Sequence, residues 1–142
     1  MLRVIDFAPS HARAISLNEG YDASVLANYV DMNGFFAETI IDGEFNVIGI
    51  ISGCMIMRTT FEVSALVSVE ARKYPIEFTK LIQARLFHYC DELSVRRVQC
   101  TVRAGFPFLQ KFIELIGFEK EGLMRKFGPE GDDYFLYSRV KE

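Results

Sequence analysis

From Pro75 to Leu93, the apolar residues Phe78, Leu81, Ile82, Leu86, Tyr89 and Leu93 recur at steps of three and four. An α-helix returns to the same side about every 3.6 residues, so this spacing predicts one long amphipathic helix. The run before it, "TFEVSALVSV", reads as a strand. The run after it, "VRRVQCTV", alternates Val98, Cys100 and Val102 against Arg97, Gln99 and Thr101, the period of a half-buried strand. Parallel strands need a long crossover, usually a helix, and that crossover is right-handed. A parallel pair is therefore expected at the centre of the fold.

The flanking segments supply the other strands. "LRVIDF" reads as a first strand ended by Pro9. Ser10 is placed to cap a short helix through Ile15 and Leu17, closed by Asn18 and Gly20. "YDASVLANYVDM" predicts a second short helix with Val25, Leu26 and Tyr29 on one face. "FFAETII" and "NVIGIISGCMIM" read as strands joined around "DGEF", where Asp42-Gly43 is a hairpin signal. "FPFLQKFIELIGF" carries Leu109, Phe112, Ile113 and Ile116 on one helical face, with Gly117 just past the helix end. "FEKEGLMRKF" and "DYFLYSRV" are two last strands around "GPEGD". The expected order is β-α-α-β-β-β-α-β-α-β-β. Its fold class is α/β: a mixed, mostly antiparallel twisted sheet of about seven strands, with helices on both faces.

Length and charge narrow the function classes. A chain of 142 residues, 50% of them hydrophobic, fits a single domain over 1–142. A net charge of −3 gives no basic field for nucleic acid or anionic lipid. The longest apolar run, "VIGIISGCMIM", falls well short of the ~20 residues of a membrane span. "MLRVIDFAPSH" lacks the basic-then-apolar order of a signal peptide, which predicts a cytoplasmic protein. Cys54, Cys90 and Cys100 fall inside predicted elements and read as buried thiols in a reducing compartment. His88 and Cys90 diverge on a helix, so no metal site is expected, and His88 reads as a surface or half-buried residue. The chain has no G-x-S-x-G elbow, dinucleotide fingerprint or Walker loop.

The element order, together with the block "FLQKFIELIGFEKEG", resembles the GNAT superfamily of N-acetyltransferases. At the place where the family shows a phenylalanine, an aromatic-Glu-Lys step and "LGF", this chain has Phe112, Ile113, Glu114, Leu115, Ile116, Gly117 and Phe118. The resemblance implies acetyl-CoA as co-substrate and an amine as acceptor. It assigns the backbone of Leu66, Val67 and Ser68 to the pantetheine arm. The following turn would hold the pyrophosphate on bare N–H groups and a helix N-terminus, sound physics for any anion. Here that turn reads Arg72, Lys73, Tyr74, Pro75, Ile76 and Glu77. Arg72 matches the family, but Pro75 and Glu77 stand where glycines are usual. Proline has no N–H, and a carboxylate repels a pyrophosphate unless it turns away. Arg72, Lys73 and Lys80 are the charges available instead.

The catalytic positions depart as well. Many family members protonate the leaving thiolate with a tyrosine where this chain has Ile113. Tyr134 and Tyr137 on the last strand are the substitutes on offer, and otherwise read as packing residues. Glu62 is the nearest candidate base, one residue off the expected register; on a strand, one residue means the opposite face. Without a chemical role it reads as a solvent-facing charge. The run "VSVEARKYPIEFTKLI" is also similar to small GNAT-like proteins of tailed phages and prophages. That likeness implies an alternative: a catalytically inactive virion structural or interaction module, with virion proteins or a second copy of the chain as partners.

Overall fold

Among the described residues, every α-helix begins with a proline: α1 is Pro9–Ala14, α2 is Pro75–Glu92 and α3 is Pro107–Ile116. Proline suits the first helical position because its fixed φ is helical and its missing N–H would have no partner there. The computed structural model describes residues 1–15 and 36–141. The helix expected over 21–32 and the Asn18–Gly20 closure lie outside them. Pro9 thus starts a helix rather than ending the first strand, which stops at Asp6. Ser10 is not the cap either. Ala8 holds that place, and its N–H donates to His11 Nδ1 at 3.0 Å.

The strands are β1 (Arg3–Asp6), β2 (Phe36–Ile41), β3 (Val47–Met57), β4 (Thr60–Val67), β5 (Arg97–Arg103), β6 (Glu119–Met124) and β7 (Tyr134–Val140). They form a seven-stranded sheet in the order β1-β2-β3-β4-β5-β7-β6. β1–β2, β2–β3, β5–β7 and β6–β7 pair antiparallel, and β4–β5 pair parallel across α2, as the crossover predicts. The parallel ladder matches Thr60 with Arg97, Phe61 with Val98 and Glu62 with Gln99.

Two compact units share this chain: Met1–Cys54 with Val63–Phe78, and Met55–Glu62 with Thr79–Glu142. In the first, Ala12, Ile15, Ile50 and Leu66 form a buried cluster with Phe7 and Val47 against it. In the second, Val98, Cys100 and Val102 are buried as their alternation predicts, together with Phe61, Phe112, Ile116 and Tyr137. On α2 the buried stripe is Phe78, Ile82, Leu86 and Cys90, a pure step of four. Leu81, Tyr89 and Leu93 flank it, half-buried. Cys54 is half-buried rather than buried, and all three cysteines are free thiols. No helix of the described residues is long and apolar enough to cross a membrane.

Candidate active site

In the first unit, β4 runs into a 3-10 turn, Val69–Lys73, and then into α2. Leu66, Val67 and Ser68 are all buried. Ser68 organises the turn: its Oγ accepts from the Glu70 N–H at 3.0 Å and its carbonyl from the Ala71 N–H at 3.0 Å. Its own N–H donates to the Ile48 carbonyl at 2.9 Å. That bond leaves Leu66 and Val67 as the residues of the trio whose backbone a ligand would have to use. Ahead of the two positions where glycines are usual, the 3-10 turn absorbs N–H groups internally. The Tyr74 N–H likewise donates to the Ala71 carbonyl at 3.0 Å, and its ring is half-buried.

Arg72 and Lys73 are exposed. Lys73 Nζ lies 2.6 Å from Glu70 Oε2, and this bond raises the lysine's pKa. Ile76 is exposed. Glu77 is engaged by the N-terminal segment: its Oε2 accepts from the Leu2 N–H at 3.2 Å. The N–H groups of Ile76 and Glu77 lie in the first turn of α2, where an α-helix offers them no internal acceptor. Phe78 anchors this turn on β3. Its ring packs against Gly49, where an added Cβ would lie 2.6 Å from Phe78 Cζ.

In the second unit, Glu62 closes the parallel ladder opposite Gln99. It is half-buried, not the solvent-facing charge expected, and Gln99 Nε2 donates to its Oε1 at 3.4 Å. Gln99 Oε1 accepts from Arg97 Nε at 2.8 Å, and the Arg97 fork meets Glu121 at 2.7 and 2.8 Å. Ser138 Oγ donates to Glu121 Oε2. Arg97 first, and Ser138 with it, hold the Glu121 carboxyl down to about 2. On the other face of β5, burial pushes the Cys100 thiol up to about 12, with the Glu62 charge adding to it.

The two tyrosines occupy different settings. Tyr137 is wholly buried, and its hydroxyl donates to Glu114 Oε2 at 2.9 Å. Burial and then this bond push its pKa up to about 12. Tyr134 is half-buried at the far end of β7, edge-on to Phe127 at 5.4 Å between ring centres. Ile113 lies half-buried on α3 with no proton to give. Among the described residues, no group of three or more His, Cys, Asp or Glu side chains could hold a metal ion. The sequence had shown Arg97 and Gln99 as the polar face of a strand. It gave no sign that Glu121 meets Arg97 or that Glu114 meets Tyr137.

No family model matches the sequence, and no curated protein matches it either. Solved structures do. Ard1 from Thermoplasma volcanium superposes with a TM-score of 0.79 at 17% identity, over 99% of this chain and 98% of that one. The GNAT-family acetyltransferase from Bacillus anthracis gives 0.73 at 18% identity, over 98% and 94%. A GNAT phosphinothricin acetyltransferase from Sinorhizobium meliloti, solved in complex with AcCoA, gives 0.70 at 20% identity, over 99% and 88%. The chain has the GNAT fold. In the first unit the strand–turn–helix segment runs from Leu66 to Phe78, and in the second Glu62 is half-buried beside Gln99.

Proposed function

We propose that residues 1–142 form one acetyl-CoA-dependent N-acetyltransferase domain with a weakened pyrophosphate turn. The observation that carries this is the GNAT fold with β4 leading through the Ser68-capped turn into the N-terminus of α2. In this reading the backbone of Leu66 and Val67 meets the pantetheine amides, with Ser68 shaping the bend. Arg72, Lys73 and Tyr74 line the turn, and the N–H groups of Ile76 and Glu77 with the helix dipole face the pyrophosphate. The Glu77 carboxylate is occupied by the Leu2 N–H, which offsets part of its charge beside the anion.

Glu62 is the base. The attacking amine nitrogen bonds to the acetyl carbon, Glu62 accepts the proton that nitrogen sheds, and the carbon–sulfur bond breaks as the thiolate leaves. Tyr137, with its proton directed at Glu114, is poorly placed to protonate that thiolate. Tyr134 or solvent supplies the proton. The acceptor is an amine, a class represented among similar folds by a spermidine N-acetyltransferase from Vibrio cholerae.

Acetyl-CoA binding to the native state must raise the melting temperature by mass action. The test is a thermal-shift titration followed by acetyl transfer to a panel of polyamines and peptide N-termini. A shift with transfer supports the enzyme. No shift at millimolar acetyl-CoA overturns it in favour of the non-catalytic module, whether of a virion or of another assembly.

A further inference from the structure

Five polar side chains on four strands join into one hydrogen-bonded seam in the second unit. Its outer end is a β-bulge: the β6–β7 register slips between Lys120 and Gly122, leaving Glu121 as the extra residue. Bulges re-aim a side chain, and here Glu121 faces Arg97 and Ser138 rather than standing in the regular ladder. Both terminal nitrogens of Arg97 are engaged with that carboxylate, and its Nε reaches the Gln99 amide. A guanidinium can only donate, so it must meet the amide oxygen. The amide nitrogen is thereby left pointing at Glu62.

On the transferase reading above, we propose that Gln99 is the positioning residue for Glu62, and that Arg97, clamped at the Glu121 bulge, fixes which end of the Gln99 amide meets it. One Glu62 oxygen is then pinned by a donor, and the other keeps its lone pairs for the incoming amine. Without Arg97, the Gln99 amide can turn over and present oxygen to oxygen, which pushes the carboxylate out of place. A lysine at position 97 supplies charge without the planar fork and does not restore the lock.

The experiment has an arm that needs no activity. In isotope-labelled protein, the Arg97 Nε–H and the Gln99 side-chain amide give assignable NMR signals. Gln99→Leu should remove the hydrogen-bonded character of the Arg97 Nε–H signal. Arg97→Met, Arg97→Lys and Glu121→Gln should move both Gln99 amide protons toward solvent-exposed values, and Glu62→Gln should move the one that faces it. In the kinetic arm, Gln99→Leu and Arg97→Lys should lower kcat about tenfold or more with KM for acetyl-CoA nearly unchanged, the pattern of lost positioning rather than lost binding. Gln99 amide signals that ignore every substitution at Arg97 and Glu121, in variants that remain folded, overturn the proposal. An intact seam by NMR in a protein that transfers no acetyl group removes the transferase reading and leaves the lock standing.

Discussion

Gly49→Ala tests how the start of α2 is held. Gly49 is buried on β3, and an alanine Cβ there would lie 2.6 Å from Phe78 Cζ, 3.0 Å from Cε2 and 3.4 Å from the Leu66 carbonyl oxygen. Carbon atoms in contact sit about 3.5–4.0 Å apart, so the ring must retreat by roughly 1 Å. Phe78 is only 2% exposed, so a shift of the ring disturbs packed neighbours. Overpacking of this kind costs about 1–3 kcal/mol. For a chain of 142 residues that is a fall in Tm of roughly 3–12 °C. The assay is urea unfolding followed by circular dichroism, run as a double-mutant cycle with Phe78→Leu. The smaller side chain should remove more than half of the alanine penalty. Equal penalties with Phe78 and with Leu at that position would refute the argument, because the ring would then not be the obstacle. Displacing Phe78 also displaces the turn whose N–H groups face the proposed anion, so acetyl-CoA affinity should fall together with stability.

Three further outcomes are expected. Replacing Pro75 and Glu77 together by glycine should tighten acetyl-CoA binding about ten- to a hundredfold by calorimetry at fixed ionic strength, the worth of one charge-assisted hydrogen bond; the variant also loses the Leu2 bond to Glu77 and should unfold at lower urea. Glu121, depressed to about 2 from an ordinary 4.5, stabilises the fold fully above its unfolded value and progressively less as pH falls toward 2. Its side chain is 38% exposed, which screens the pair to under about 1 kcal/mol, so Glu121→Gln should show a small urea-midpoint deficit at neutral pH that closes in acid. With a thiol reagent at mildly alkaline pH, Cys54 should react in the native protein while Cys100, with its thiol near 12, and Cys90, raised by burial, wait for unfolding.

What the sequence displayed well was anything with a local period. The step of three and four gave α2 to within one residue, and the alternation on β5 gave its buried face. Gly117 sits at φ 118° and closes α3 as its position suggested. Local signals misled where two readings share one residue type. Pro9 is as compatible with opening a helix as with ending a strand. In the β2–β3 turn the left-handed backbone position falls on Phe45, φ 64°, and not on Gly43. There Asp42 Oδ1 accepts from both the Glu44 and Asn46 N–H groups at 2.9 Å, and this lock sets the turn's shape. The site partners were hidden for a different reason. Glu77 meets Leu2 across 75 positions and Arg97 meets Glu121 across 24. The second pair depends on the sheet order β5-β7-β6, which the chain order does not reveal, and the first on where α2 begins relative to the start of β1.

β6 ends the sheet, and most of it, Glu119 through Leu123, is exposed. An outer strand offers its backbone N–H and C=O groups to any other extended chain, which is how intermolecular sheets grow. Two properties oppose that here: the alternating charges of Glu119, Lys120 and Glu121, and a bulge that spoils the even spacing a new strand would need. The distortion that turns Glu121 onto Arg97 therefore also blunts the edge against fibrous assembly. Deleting Glu121 to straighten the strand would release the guanidinium inside and give aggregation a smoother template outside.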